Sequence, residues 1–311
     1  MPEALEQPLV ECVPNFSEGR RPEVIAAIVA AVESARVHLL DVSSDADHNR
    51  TVVTFAGLPA PVLEAAFRAV AVAAEHINLE THHGQHPRIG AADVVPLVPL
   101  RNISLEACAA LAHQLGRRIG AELALPVYYY EAAALRPERV NLADVRRGGY
   151  EALKHDIAAN PARLPDAGPA VLGPAGAVLV GARGPLIAFN ATLDTTDVEV
   201  ARQIAVTIRT SGGGLPYLKA LGLLVNGRAQ VSMNVVDFRQ TSLLTIMERL
   251  RAEAANLGVR VVETELVGLI PQAALFNTAL DTLQLPPETR HRMLESRLGA
   301  VTGDYREILF E

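Results

Sequence analysis

The sequence has no tryptophan, only two cysteines and only two lysines, and it contains no long apolar run. No stretch reaches the roughly 18 apolar residues that a transmembrane helix needs, so no membrane span or membrane partner is expected. Cys12 lies in a strand-like run and Cys108 in a helical pattern, so both are predicted to be small buried hydrophobes rather than a disulfide or a metal pair. The N-terminus is acidic and has no apolar signal core, which predicts a cytoplasmic protein.

The scarcity of lysine makes arginine the main carrier of positive charge. The formal net charge is −7, aromatic residues make up 4% of the chain, and no basic run occurs, so a nucleic-acid partner is not predicted. A ligand with carboxylates would have to be held by arginines, whose planar fork fits a carboxylate. Genomic base composition produces the same bias, so the bias alone decides nothing.

Strand and helix patterns alternate along the 311 residues, which predicts an α/β fold, and this length fits one large domain or two of ordinary size. Regularity fades between residues 136 and 176, where prolines and glycines cluster. Strands are predicted at residues 9–14, 37–42, 51–56, 94–100, 127–130, 177–182, 186–193, 231–238 and 259–263. Helices are predicted at residues 22–34, 59–76, 104–123 with Ser104 as its cap, 197–210, 242–257 and over most of the C-terminus.

A weak internal repeat divides the chain into halves. Residues 93–131 and 230–265 both run from a strand through a polar turn and a serine-capped helix to a second strand. We therefore predict an N-terminal subdomain over residues 1–176 and a C-terminal subdomain over residues 177–311. Each would have one sheet face under helices and one bare face, and the simplest partner of a bare face is the other one. The predicted fold is two related α/β subdomains with mixed sheets packed face to face, helices outside and a ligand cleft at the junction.

The segment HHGQHPR at residues 82–88 concentrates three histidines and an arginine. An imidazole can accept and donate a proton near pH 7, and backbone breaks let such a side chain project into a cleft. His82 and His86 have the spacing of a helical zinc motif, but Gly84 and Pro87 disfavour a helix and no third ligand has familiar spacing. From these residues alone, a solvated loop, an acid–base site and a metal site all remain open.

The remaining polar loops have simple structural interpretations. SSDADHNR fits a hairpin connection between two strands, and PNFSEG fits the entry to a helix. SGGGLP lacks the phosphate-loop pattern and GPAVLGPAG lacks the dinucleotide fingerprint, so neither predicts nucleotide binding. No G-x-S-x-G motif occurs, so a serine hydrolase is not predicted.

Taken together, eight stretches resemble glutamate formimidoyltransferase, the formiminotransferase half of the bifunctional formiminotransferase–cyclodeaminase. They follow the family order from about residue 9 to residue 275, and the motif H-P-R-[IM]-G-A-x-D-V is the most specific part. They read ECVPNFSEG, DADHNRTVVTFAG, HHGQHPRIGAADVVPLVP, PVYYYEAA, VGARGPLIAFN, GGLPYLKALG, AQVSMNVVDF and ELVGLIPQAAL.

The resemblance implies two α/β subdomains whose sheets face each other, a homodimer, and a catalytic histidine at His86. It also implies a folate-contacting loop, which is one residue shorter here and has Ala167 where phenylalanine is usual. This loop comprises Gly168, Pro169, Ala170, Val171, Leu172, Gly173, Pro174, Ala175 and Gly176.

The matching stretches also supply the predicted substrate-binding residues. Asp45 and Asp93 are candidates to orient His86 or to hold the pteridine ring, although Asp93 could as well cap a turn. Arg50, Arg88 and Arg183 are candidates to hold glutamate carboxylates, with Arg88 from the first half and Arg183 from the second. Asn15 and His48 complete the predicted site.

The implied activity transfers a formimino group from formiminoglutamate to tetrahydrofolate. His86 would move the proton, folate would be a cosubstrate, and no metal or permanently bound cofactor is expected. Because the chain ends before a cyclodeaminase domain, its product would pass to a separate cyclodeaminase. Two alternatives stay open: a formyltransferase that uses 5-formyltetrahydrofolate and glutamate, and a non-catalytic folate-binding partner.

Overall fold

The computed structural model describes residues 7–286 and residue 289, and these residues divide into two compact units between Gly184 and Pro185. Among the described helices, none combines the length and apolarity needed to cross a membrane. In the first unit the strands are β1 Leu9–Cys12, β2 Asn15–Phe16, β3 His38–Asp45, β4 Arg50–Gly57, β5 Ala92–Arg101, β6 Val127–Glu131 and β7 Val178–Ala182. Its helices are α1 Pro22–Glu33, α2 Pro59–His76, α3 Leu105–Glu122, α4 Leu142–Val145 and α5 Gly149–Asp156.

The sheet of the first unit is mixed. β3 pairs with β4, and β1 and β2 lie between β4 and β5 as one line interrupted at Pro14, all antiparallel. On the far side, β7 is inserted between β5 and β6 and runs parallel to both. The ends of β2, β4 and β5 are thereby brought together in the middle of the sheet.

Helices α1, α2 and α3 cover the strands side by side. α1 contacts β3 and β4, α2 contacts β1, β4 and β5, and α3 contacts β5, β6 and β7. The alternation in β1 turns Val10 and Cys12 into the core while Leu9 and Glu11 stay partly exposed. Cys12 and Cys108 are buried free thiols, as predicted, and burial raises the pKa of both.

The second unit has a four-stranded sheet, with helices α6 and α7 contacting each other and its strands. The strand order is β11-β8-β10-β9, and every pairing is antiparallel. Its elements are β8 Ile187–Leu193, α6 Val198–Ile208, β9 Leu218–Val225, β10 Arg228–Val235, α7 Leu243–Asn256, β11 Val261–Val267 and α8 Gln272–Leu283.

The strand–capped helix–strand order predicted for both halves is confirmed. Ser104 Oγ accepts the Ala107 N–H at 3.1 Å, and Ser242 Oγ accepts the Thr245 N–H at 3.2 Å. In each unit the two flanking strands pair with opposite edges of one central strand, β7 in the first unit and β8 in the second. The central strand is parallel to its neighbours in the first unit and antiparallel in the second.

Three expectations need correction. The boundary predicted at residues 176/177 lies after Gly184, because β7 belongs to the middle of the first sheet. The second sheet is antiparallel rather than mixed, because both neighbours of β8 run opposite to it. Helices α4 and α5 and strand β9 fall where no element was predicted. The face-to-face packing of the sheets stays a prediction, and the helical C-terminus is described only as far as α8.

Candidate active site

Three loop segments of the first unit meet at the turn between β3 and β4. The Gly19 N–H donates to Asn49 Oδ1 at 2.9 Å, and Asn49 Nδ2 donates to the His83 carbonyl at 3.0 Å. A Cβ atom at Gly19 would lie 2.1 Å from the Asp45 carbonyl oxygen, and one at Gly84 would lie 2.3 Å from the His48 carbonyl oxygen. Glycine is therefore required on both sides of this turn. These contacts bring the PNFSEG, SSDADHNR and HHGQHPR segments into one place.

His86 lies half-buried in the last of these segments, and its hydrogen bond defines its tautomer. Its Nδ1 lies 2.8 Å from the Pro87 carbonyl oxygen. Because a carbonyl oxygen only accepts, Nδ1 carries the proton and Nε2 keeps its lone pair. Burial and then the nearby charges of Arg50 and Arg146 hold the pKa of His86 well below its ordinary value. At neutral pH this residue is an uncharged imidazole with Nε2 available as a base.

A buried ion cluster lies beside His86. Arg50 Nη1 donates to Asp93 Oδ2 at 3.0 Å, and Arg146 Nη2 donates to the same oxygen. Asp93 Oδ1 accepts the Ile89 N–H at 2.8 Å, while Arg50 Nε donates to Asn15 Oδ1 at 3.0 Å. The Asp93 side chain is fully buried, and those of Arg50 and Arg146 are only 8% and 13% exposed.

The charges in this cluster do not balance. Burial alone would raise the pKa of Asp93, but Arg146 and Arg50 hold it below its ordinary value, so Asp93 is ionised. Burial lowers the pKa of Arg50 to about 10, still far above neutrality. Asp93 therefore carries one negative charge against two arginine charges, and the group has an excess of one positive charge next to His86.

His48 and Asp45 come from the turn between β3 and β4. The Asp45 carboxylate accepts the His48 N–H at 2.7 Å, so Asp45 caps this turn. The ring centres of His48 and His86 lie 6.0 Å apart. His48 Nε2 is buried and has no hydrogen-bond partner within the described part of the chain.

Arg88 is hydrogen-bonded to protein groups, which favours a positioning role over the carboxylate-binding role predicted from the sequence. Its Nε donates to His82 Nδ1 at 3.0 Å, and its Nη2 donates to Glu151 Oε1 at 2.9 Å. Since the guanidinium only donates, His82 Nδ1 accepts and His82 Nε2 donates to the Asn49 carbonyl at 3.1 Å. Both ring nitrogens of His82 are thus occupied. The Arg88 side chain connects the His86 segment to helix α5 through Glu151.

Arg183 belongs to the first unit, not to the second as the sequence suggested. It follows β7, and its Nη1 donates to the Gly184 carbonyl at 3.0 Å. Its charge acts on Glu11 and Tyr130, and burial raises the pKa of both. The proposed pair of arginines from opposite halves is therefore wrong, because both belong to one unit.

The Gly168–Gly176 loop adjoins the His86 segment at its C-terminal end only. The Ala91 N–H donates to the Ala175 carbonyl at 2.8 Å, and Gly176 forms a β-bridge with Gly90. At the other end, a Cβ atom at Gly168 would lie 2.1 Å from the Leu125 carbonyl oxygen, in the connection between α3 and β6. Val171 at the middle of the loop is 69% exposed.

Known proteins match both units of the chain. Residues 9–183 match the N-terminal subdomain of the formiminotransferase domain, and residues 188–285 match the formiminotransferase domain. The chain belongs to the formiminotransferase family. The two matched regions meet where the structural units divide, after Gly184.

Relatives of this family agree along nearly the whole chain. The glutamate formimidoyltransferase of Streptococcus pyogenes serotype M1 is 45% identical over 295 residues, which cover 93% of this chain and 98% of the relative. That of Thermoplasma acidophilum is 44% identical and covers 93% and 97%. The mouse formimidoyltransferase-cyclodeaminase is 42% identical, and its match covers 94% of this chain but 56% of the relative. The family resemblance is confirmed, and the chain is a transferase.

Within this family framework, sequence reasoning missed several side chains of the site. Arg146 and Glu151 lie in the region where no regular structure was expected, so nothing marked them as neighbours of Asp93 and Arg88. The sequence indicates only a hairpin connection at SSDADHNR, whereas its Asn49 side chain connects Gly19 to His83. The adjacent Arg146 and Arg147 look alike in sequence, and only the position of α4 distinguishes them.

Proposed function

We propose that this chain transfers the formimino group of N-formimino-L-glutamate to N5 of tetrahydrofolate, releasing 5-formiminotetrahydrofolate and glutamate. The observation that supports it most is His86, an uncharged imidazole whose Nε2 is available beside a buried arginine cluster. A group transfer between two nitrogens needs one residue that takes a proton and gives it back. His86 has the protonation state for that role at neutral pH.

The chemistry needs one proton relay and no redox step. N5 of tetrahydrofolate forms a bond to the amidine carbon, which becomes tetrahedral. His86 Nε2 takes the N5 proton and returns it to the glutamate nitrogen, and the bond between the carbon and that nitrogen then breaks. The substrate amidinium is already positively charged, so no oxyanion hole is required. Asn15, Asp45, His48, Arg50 and Asp93 surround the site in this proposal.

Folate enters this proposal as a cosubstrate, and no resident cofactor or metal is part of it. The Gly168–Gly176 loop is the proposed folate contact, because its C-terminal end pairs with Gly90 and Ala91, which closely follow the segment that carries His86. We further propose a homodimer in the cytoplasm that acts in histidine degradation and one-carbon metabolism. Its product would pass to a separate cyclodeaminase.

A comparison of donors tests the proposed function. Purified protein is incubated with tetrahydrofolate and either formiminoglutamate or formylglutamate, and the folate product is identified by its absorbance and mass. We expect 5-formiminotetrahydrofolate from the first donor at a rate well above that of the second. Faster transfer of formyl, or 5-formyltetrahydrofolate with glutamate as the better pair, would replace the proposal with a formyltransferase. Folate binding without turnover of either donor would indicate a binding protein.

A further inference from the structure

We propose that Arg146 and Arg50 bind the α-carboxylate of the formimino donor, a site role that the sequence did not suggest for Arg146. This inference rests on the proposed function and adds the residues that recognise the donor. The carboxylate would bind to the Arg50–Asp93–Arg146 cluster, whose arginine charges act on His86.

The hydrogen bonds of Asp93 are the first support. Its Oδ2 accepts from both Arg50 and Arg146, and its Oδ1 accepts the Ile89 N–H. Within the described residues, neither arginine has an ion pair with another acid. One carboxylate therefore serves two buried guanidinium groups, and a second anion would balance the charge.

The second support is an unused donor. Arg146 Nε is buried and has no hydrogen-bond partner among the described residues. Buried donors nearly always have a hydrogen-bond acceptor, so we expect a bound ligand to supply the acceptor for this nitrogen. A carboxylate is the natural acceptor, because its two oxygens match the spacing of adjacent guanidinium donors.

The position of the cluster selects one carboxylate of the two substrates. In formiminoglutamate, the α-carboxylate is attached to the carbon that carries the reacting nitrogen. In tetrahydrofolate, the glutamate is separated from N5 by the aminobenzoyl group. An anion site whose charges act directly on His86 is therefore placed for the donor's α-carboxylate rather than for the folate glutamate.

Binding of this carboxylate would also activate the base. Arg50 and Arg146 lower the pKa of His86, and an added negative charge beside them would oppose that effect. His86 would thus become a stronger base when the donor is in place. Compounds that lack the carboxylate would not strengthen His86 as a base, so transfer from them would be slower.

The adjacent arginine provides a matched control. Arg147 is 79% exposed and pairs with Asp144 on the surface, so Arg147→Gln removes the same charge one residue away. We expect Arg146→Gln to raise the KM for formiminoglutamate about ten- to a hundredfold and to change the KM for tetrahydrofolate less than about threefold. Arg147→Gln should change both constants less than about twofold. Equal rises in both KM values, or equal effects of the two variants, would overturn the proposal.

A substrate lacking the group gives a second test in the unaltered protein. 4-Formimidoylaminobutyrate has the formimino nitrogen and the distal carboxylate of formiminoglutamate but no α-carboxylate. We expect the unaltered protein to prefer formiminoglutamate at least about tenfold in kcat/KM, and Arg146→Gln to lose most of this preference. Equal kcat/KM values for the two donors in the unaltered protein would overturn the proposal even if Arg146→Gln failed to fold.

Binding of the product separates this inference from the proposed function. Calorimetry measures the affinity of the protein for L-glutamate and for 4-aminobutyrate without any turnover. We expect glutamate to bind more tightly, and Arg146→Gln to weaken glutamate about tenfold. Equal affinities of the unaltered protein for glutamate and 4-aminobutyrate would overturn the carboxylate site. If the unaltered protein binds glutamate more tightly than 4-aminobutyrate but transfers no formimino group, only the proposed function is overturned.

Discussion

The imidazole rings of His48 and His86 lie 6.0 Å apart with an angle of 41° between their planes. They come from different segments, the β3–β4 turn and the loop after α2, which Gly19, Asn49 and Gly84 hold together. His86 binds the Pro87 carbonyl through Nδ1, while the buried Nε2 of His48 has no partner in the described structure. Within the described part of the chain, each of these two neighbouring rings thus has one nitrogen without a protein partner.

Replacing His48 with Leu tests whether its unpaired Nε2 binds substrate. One hydrogen bond to substrate contributes about 0.5–1.5 kcal/mol of binding free energy, so its loss should lower kcat/KM about three- to tenfold. Folding stability should change little, because this nitrogen has no protein partner to lose. Steady-state kinetics and urea unfolding measure the two effects. His83→Leu, at an exposed side chain of the same segment, should leave kcat/KM near its original value; equal losses in the two variants would remove His48 from the site.

The pH dependence of kcat/KM should report the lowered pKa of His86. Since the neutral imidazole is the active form, the acid limb of the profile should lie below about pH 6.5, the ordinary histidine value. Arg146→Gln removes a positive neighbour, so the limb should move to higher pH. Because the unfolded chain takes up this proton more readily, folded-state stability should also fall as the pH drops below about 6.5. A limb above pH 7 in the original protein, or no movement in the variant, would contradict this.

Much of the first unit could be predicted from hydrophobic periodicity and helix caps. Strand β4, helices α1, α2 and α3 and the Ser104 cap follow from local signals, which act within one or two turns of the chain. The start of strand β9 could not be predicted from the sequence pattern, because the strand closely follows the glycine-rich SGGGLP segment. The parallel insertion of β7 between β5 and β6 places the domain boundary after β7. The residues of a strand do not show which distant strands it pairs with, so this boundary could not be predicted from the local sequence.

The residues of the candidate site can be named from the sequence, but their contacts cannot. His86 and Asp93 lie in the H-P-R motif, and Arg50, from the separate DADHNR stretch, is brought to them by its ion pair with Asp93. Arg88 was expected to bind substrate, yet Glu151 binds it from more than sixty positions along the chain. The sequence does not show which acid each arginine pairs with, because these pairs join residues that are far apart in the chain.

Gly84 should not tolerate a side chain. In Gly84→Ala the new Cβ would meet the His48 carbonyl oxygen at 2.3 Å, and that backbone atom cannot move without displacing the β3–β4 turn. We expect a loss of stability of about 1–3 kcal/mol together with a fall in kcat, because His48 and His86 both shift. Gly184→Ala, where a Cβ has no neighbour within 4 Å, is the control for urea unfolding and kinetics. Equal stability of the two variants would show that the close approach at Gly84 is absent.

Arg88 should act on stability and on the position of the His86 segment rather than on substrate affinity. Its partner Glu151 is exposed, so a double-mutant cycle of Arg88→Ala and Glu151→Gln should give a coupling energy of only about 0.2–1 kcal/mol. Both single variants should lower kcat without a selective rise in either KM. Urea unfolding and steady-state kinetics measure these terms. A rise of tenfold or more in the KM of one substrate for Arg88→Ala alone would restore Arg88 as a carboxylate ligand.

The most direct test follows the formimino carbon itself in the original protein and in His86→Asn. Formiminoglutamate labelled with carbon-13 at that carbon is mixed with tetrahydrofolate and excess enzyme, and the label is followed by NMR. The original protein should move the label to 5-formiminotetrahydrofolate, and His86→Asn should do so about 10²–10⁴ times more slowly while it still binds folate. A folded His86→Asn protein that moves the label at nearly the original rate would contradict the assignment of His86 as the proton-transferring residue.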